Sequence, residues 1–203
     1  MELPYQPVYV TIPSTNDSIE SERLLLRPIC DFDAAALLAV RGRPEVAKTN
    51  YPKEPFKSIE ETREWMSSKV FAKGPADIIG RSFNYAILDK SISEPEKQLI
   101  GYVSVNTLDP CPEIGYSLLP ESWGKGYATE ALRMMLSKWW DLPRRDMGEL
   151  NGSEEKIYAI CEKLNIGSVT VLRKCGFEVV SEFCFGSDEL FIWALKKAQF
   201  IRH

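Results

Sequence analysis

Histidine is almost absent from this chain: the only one is His203, at the end of 203 residues. No internal imidazole can serve as a general base or a buried metal ligand, so histidine-dependent triads are excluded. The five cysteines, Cys30, Cys111, Cys161, Cys175 and Cys184, are odd in number, scattered and without C-x-x-C spacing. Neither a disulfide framework nor a zinc site is expected from them, and none has a histidine partner for nucleophilic work. No apolar run reaches the roughly 18 residues that span a bilayer. Glu2, Pro4 and Pro7 stand where a signal peptide carries a basic segment and an apolar core, so no leader is expected and the cytosol is the expected location. A net charge of −4 lacks the basic footprint that nucleic acid or an anionic membrane requires. That mild acidity is compatible with cationic amine substrates. What remains, at 44% hydrophobic and 27% charged residues, is an ordinary globular composition long enough for one cored domain.

One stretch organises the rest. Glu113-Ile114-Gly115-Tyr116-Ser117-Leu118-Leu119 alternates and reads as a strand, which Pro120 ends. Trp123-Gly124-Lys125-Gly126-Tyr127-Ala128-Thr129-Glu130 then runs into a helical pattern, with Ala128, Ala131, Leu132, Met135, Leu136 and Trp139 on one face. Strand, glycine-bearing turn and helix in this order suit an anion, because the first helical N–H groups lack partners and lie at the positive end of the dipole. The same layout also serves as a plain strand-to-helix turn. Two known phosphate loops are excluded. A P-loop needs Gly-Lys followed by Ser or Thr, but Gly126 follows Lys125, and Leu119 replaces the upstream glycine. The dinucleotide fingerprint needs a third glycine where Thr129 stands, and an acidic residue at a strand end, whereas Asp146 lies in a polar loop.

In chain order, residues 1–20 read as a proline-bearing lead-in, and Glu22–Ile29 as a first strand. Asp31-Phe32-Asp33 is expected to cap a helix through about Arg41, with Ala34, Leu37 and Leu38 as its apolar stripe. Ser58 followed by Glu61 forms a capping box for a second helix through about Phe71. Ser82–Leu88, Leu99–Val105 and the Glu113 strand are joined by short connections and are expected to pair antiparallel. Asp141–Glu155 reads as a surface excursion, Lys156–Cys161 as a strand, and Asn165–Phe177 as a helix closing on Gly176. Phe177–Val180 and Leu190–Leu195 read as a terminal pair of strands. Trp139 and Trp140 read first as core and helix end; left exposed, they would support a dimer.

Trp123-Gly124-Lys125-Gly126-Tyr127-Ala128-Thr129-Glu130-Ala131-Leu132 resembles the acetyl-CoA pyrophosphate loop of the GNAT N-acetyltransferases, and more narrowly their RimJ/RimL-type branch. Asn165-x-x-Ser168 with Leu172-Arg173-Lys174-Cys175-Gly176-Phe177 resembles the branch's later "N-x-x-S…LxKxGF" segment, and Glu22-Arg23 through Asp31 and Asp33 its opening. The chain departs from the family's Q/R-x-x-G-x-G/A pattern at the first position, which is Glu121. The resemblance spans about 21–195 and implies an α+β fold: one GNAT-like domain over 21–203, with a mixed, mostly antiparallel sheet flanked by helices. That sheet is splayed between the strands at 113–119 and 156–161.

It also implies an N-acetyltransferase that moves an acetyl group from acetyl-CoA to a primary amine by direct transfer, with no metal. The acceptor is a protein N-terminus or a small-molecule amine, and the chain a monomer or homodimer. Such transfer needs a thioester held beside a neutral amine, a stabilised oxyanion and a proton acceptor. In the family's arrangement, backbone groups at Leu118 and Leu119 pair with the pantetheine arm. The N–H groups of Trp123, Gly124, Lys125, Gly126, Tyr127 and Ala128, with Thr129 following, hold the pyrophosphate. Lys125 adds charge there or is a solvated loop lysine. Asn165 contacts the cofactor or caps its helix. Ser168 is the candidate acid for the departing thiolate, or an ordinary helix hydroxyl, because Leu172 occupies the place of the superfamily's tyrosine. Glu113 is the candidate base through water, or a paired surface carboxylate. Asn50, Tyr51 and Phe56 are implicated in acceptor binding. A protein of another class, a non-catalytic acyl-CoA sensor or scaffold, would share the loop.

Overall fold

The computed structural model describes residues 3, 5–6, 10–144 and 155–200. Eight strands form one sheet: β1 Ile19–Glu20, β2 Leu24–Pro28, β3 Phe83–Asp89, β4 Leu99–Thr107, β5 Glu113–Leu118, β6 Lys156–Glu162, β7 Glu178–Phe185 and β8 Asp188–Lys196. Their order is β1-β2-β3-β4-β5-β6-β8-β7, antiparallel except where β6 runs parallel to β5. Among the described residues five α-helices cover it: α1 Ala34–Arg41, α2 Pro44–Ala47, α3 Ile59–Ser68, α4 Tyr127–Asp141 and α5 Ile166–Lys174.

The central strands are buried on both faces, and period two decides which residue faces which layer. In β3, Phe83, Tyr85 and Ile87 join the core under α4 and α5, where Leu132, Met135 and Trp139 meet them. Ala86 and Leu88 point the other way, to Leu37 and Val40 of α1 and to Trp65 and Met66 of α3. Burying each such aliphatic or Phe side chain contributes about 1.5–3 kcal/mol. β4 carries one extra residue at Ile100 between the partners of Ile87 and Leu88. That bulge lets Ile100 and Val103 face one layer while Leu99 and Tyr102 face the other.

Several sequence expectations change form. Val10 and Ile12 of the lead-in are buried in the main core, and Ile19–Glu20 pairs with β2 at the sheet edge. Asp33 caps no α1 amide. Its carboxylate instead takes both terminal nitrogens of Arg27 at 2.7 and 2.6 Å and the N–H of Cys30 at 2.9 Å. Burial would raise that carboxyl, but the bonds from Arg27 and Cys30 outweigh it and hold it below its usual range. β7 extends to Phe185, beyond the apolar stretch that announced it, because its partner β8 continues the ladder to the turn at Gly186. Trp139 and Trp140 are 0% and 4% exposed. Trp139 packs edge-on against Phe83, so neither indole presents a dimer face. Most of the Asp141–Glu155 excursion lies outside the described residues. Among the described residues no helix is long and apolar enough to cross a membrane, and no group of three His, Cys, Asp or Glu could hold a metal ion.

The feature that positions the site is the β5–β6 join. Only Glu113 with Tyr158 and Ile114 with Ala159 are in register. Beyond them β5 runs on to Leu118 while β6 stays with β8 over seven pairs, and the two strands part. The sheet opens at its middle.

Candidate active site

β5 passes through a single turn at Pro120–Ser122 and the residues Trp123–Gly126 into α4. Gly124 and Gly126 have φ of 74° and 82°, in the left-handed region where a side chain is strained. A Cβ at Gly124 would point into open space. Gly126 is the N-cap of α4 and no side chain caps that helix, so its first N–H groups are left for another partner. Arg23, just before β2, braces the loop. Its Nη1 donates to the Lys125 carbonyl at 3.0 Å, its Nε to Glu130 at 2.8 Å, and its guanidinium lies 4.7 Å from the Tyr127 ring. Ser21 holds the other oxygen of Glu130 at 2.6 Å. Glu121, the departure from the family pattern, pairs with Arg43 at 2.5 Å.

A cavity of about 630 Å³ runs from this loop down the opening between β5 and α5, past Leu118 and Tyr116 to Asn165 and Ser168. Leu119 donates its N–H to Ile100 of β4 at 2.8 Å. By the alternation of an antiparallel ladder, that bond turns the backbone groups of Leu118 and Tyr116, not those of Leu119, toward the opening. Leu119 does not line the cavity, nor does the exposed Lys125. The Leu118 carbonyl already receives the Trp123 indole N–H at 2.8 Å. Open glycines, uncapped amides and an unpaired strand edge together fit the pyrophosphate and amide-bearing arm of coenzyme A.

A second cavity, of about 490 Å³, lies on the other face of β5, beneath α3. Glu113, Asn50 and Tyr51 line it, and so do Arg41, Lys69, Tyr102, Asn106 and Glu162, which sequence reasoning did not single out. Phe56 does not reach it; its ring backs the Arg41 guanidinium at 4.4 Å. Tyr51 closes the rim, its phenol donating to Asp188 at 2.6 Å. Burial and that bond push the phenol up to about 12. The two cavities share the lining residues Thr49, Tyr116, Asn165 and Ser168.

Two networks furnish the junction. Asn50 donates to the Ser117 hydroxyl at 3.1 Å and to the Val46 carbonyl at 2.8 Å. Lys69 donates from Nζ to Asn106 Oδ1 at 2.8 Å, and the Ser104 hydroxyl donates to the same oxygen at 2.7 Å. The Asn106 side chain also bonds Glu113. Gly115 makes room for this bridge, since a Cβ there would fall 2.5 Å from Asn106 Nδ2. Burial raises the Glu113 carboxyl, against the lowering pull of Lys69 and Asn106. Burial lowers Lys69 to about 8, opposed by Glu113 and assisted by Arg41. At α5, Asn165 accepts the Ser168 N–H at 3.1 Å, so it does cap its helix, and the Tyr116 hydroxyl donates to the Ser168 carbonyl at 3.4 Å. Burial raises the Tyr116 phenol.

Comparison with known proteins then decides the family. The profile described as "Acetyltransferase (GNAT) domain" matches residues 23–178. The chain belongs to the GNAT acetyltransferases. Among its GNAT relatives, it is 31% identical over 122 residues to the uncharacterized N-acetyltransferase YoaA of Bacillus subtilis (strain 168), a match covering 59% of this chain and 64% of that one. It is 27% identical over 166 residues to the uncharacterized N-acetyltransferase p20 of Bacillus licheniformis, covering 80% and 83%. The GNAT-family acetyltransferase from Bacillus anthracis superposes with a TM-score of 0.66 at 23% identity, over 90% of this chain and 99% of that one. RimL, the ribosomal L7/L12 alpha-N-protein acetyltransferase in complex with coenzyme A, superposes at 0.67 and 18% identity, over 89% and 98%. These two superpositions establish the shared GNAT fold.

Proposed function

We propose that this GNAT chain transfers an acetyl group from acetyl-CoA directly to a primary amine, on a protein N-terminus or a small molecule. The observation that carries the reading is the meeting of two cavities at Thr49, Tyr116, Asn165 and Ser168, one behind the glycine loop and one around Glu113. Acetyl-CoA, when bound, supplies the activated acyl group as a thioester. The N–H groups of Gly124 through Thr129 hold its pyrophosphate, that of Trp123 being already given to the Pro120 carbonyl at 3.1 Å, and the β5 edge at Tyr116 and Leu118 receives its arm. Asn50 and Ser117 orient the acceptor from the β5 side. Glu113 accepts the ammonium proton, its raised affinity placing it nearer neutral pH than an ordinary carboxylate. As the C–S bond breaks, the Ser168 hydroxyl passes its proton to the leaving sulfur and takes up the proton that the attacking nitrogen loses.

The experiment is release of free CoA thiol from acetyl-CoA, measured against a panel of small amines and unblocked peptides, with the acetylated product identified by mass. Acceptor-dependent release at roughly 1–10³ per second is expected. Tight acetyl-CoA binding with no acceptor-dependent release would make the chain a sensor of acyl-CoA instead.

A further inference from the structure

Arg41, the last residue of α1, is 2% exposed, yet no carboxylate lies within ion-pair distance of it among the described residues. Its Nε has no hydrogen-bond partner, and its only side-chain bond is a long one, 3.5 Å from Nη1 to the Tyr102 hydroxyl. Two aromatic faces grip the guanidinium, Phe56 at 4.4 Å and Trp65 at 5.6 Å. It is therefore held in place and aimed along the wall of the 490 Å³ cavity. Burying a guanidinium without an anion is costly, and the cost is recovered only when an anion arrives. The fork of Arg matches a carboxylate in both charge and shape.

Neighbouring charges sharpen the point. Lys69 lies on the same wall, one helical turn from Trp65, with Nζ 5.4 Å from that ring. Glu113 is an acid of the same cavity lining, and Asn106 links it to Lys69. Glu162, on the far wall, is taken by Lys53 at 2.8 Å. The α1–α3 end of the cavity thus carries two cations against one carboxylate that is already engaged.

Resting on the transferase reading above, we infer that the acceptor is an amine whose own molecule bears a carboxylate, and that Arg41 is the residue that selects it. The carboxylate docks on the guanidinium between Phe56 and Trp65, and the amine is left to point toward the junction at Tyr116 and Ser168. Two sources share this chemistry: the α-carboxylate of a free amino acid, and an acidic side chain near a peptide N-terminus.

The test compares matched acceptors that differ only in this group. Free amino acids are set against their α-amides, and peptides with Asp or Glu at the first two positions against those with Asn or Gln. With the wild-type chain, kcat/KM is expected to favour the carboxylate member by at least ~10²-fold in one of the two series, and that series names the source. Arg41→Gln should bring the ratio near one while acetyl-CoA binding is retained, and Arg41→Lys should keep part of it. Binding of the N-acetyl products and their amides to the CoA-loaded wild-type chain, by calorimetry, reads the same preference without turnover or a variant. Equal handling of acid and amide by the wild-type chain, in turnover and in product binding, overturns the inference. A ratio unchanged in a folded Arg41→Gln does the same. Transfer to amines without an acid group as efficient as to their carboxylate counterparts would refute this inference and leave the transferase intact. Absence of acetyl-CoA binding would refute the transferase reading itself.

Discussion

Glu113→Gln is expected to lower kcat by about 10²–10⁴-fold while leaving the affinity for acetyl-CoA unchanged. The substitution keeps the shape of the side chain and an oxygen for the bond to Asn106, and removes only the ability to hold a proton. Burial raises the Glu113 carboxyl, while Lys69 and Asn106 restrain it. A base with a raised pKa is empty only above that value, so wild-type kcat/KM should fall as pH drops through it. In the variant that acidic limb should vanish, because nothing is left to titrate at that position. Steady-state rates across pH, with calorimetry for the donor, separate the two effects. A variant that kept its rate and its acidic limb would put proton removal on another group.

Gly126→Glu is expected to weaken acetyl-CoA binding by at least ~10²-fold, and Gly126→Ala far less. Both introduce a Cβ at a φ of 82°, at a strain of roughly 1–2 kcal/mol. Only glutamate brings negative charge to the N-cap of α4, where the uncapped amides point. The new Cβ would lie 3.6 Å from Arg23 Nη2, so the carboxylate can pair with Arg23 and occupy the anion site from within. Titration of both variants, beside thermal melts to measure the strain, checks the difference. Equal losses in the two variants would reduce Gly126 to a conformational role.

The strand-turn-helix at the centre was legible because each part has a local cause. Alternation marks β5, Pro120 stops it, and the spacing of Ala131, Leu132, Met135 and Trp139 gives α4 one buried face. The capping asparagine of α5 and the antiparallel run β3-β4-β5 were legible for the same reason. Long-range neighbours were not. Lys69 lies just past the end of α3 and reads as a solvent-facing lysine until β4 supplies Asn106 beside it. Arg41 ends α1, where a cation suits the helix dipole on local grounds alone. Its burial comes from Phe56 and Trp65, which lie 15 and 24 positions further on. Leu119 faces β4 and not the opening, because a strand's backbone direction depends on its partner's register, and the bond to Ile100 sets that register. Tyr116 reads from sequence as a core residue, alternating with Ile114 and Leu118, and only the fold brings its hydroxyl to the Ser168 carbonyl.

The acyl donor is expected in the β5–β6 opening with its phosphates at the start of α4. Residue-resolved amide hydrogen exchange, with and without saturating acetyl-CoA, tests it most directly. Protection is expected at the N–H groups of Gly124 through Thr129 and at Tyr116 and Leu118, with β7 and β8 unchanged. A groove of about 700 Å³ on the outer side of α4, beside Arg133, Lys138 and Phe200, offers the donor another place. Protection around Arg133, Lys138 and Phe200 without any at Tyr116 and Leu118, or none at all in a folded chain, would place the donor elsewhere.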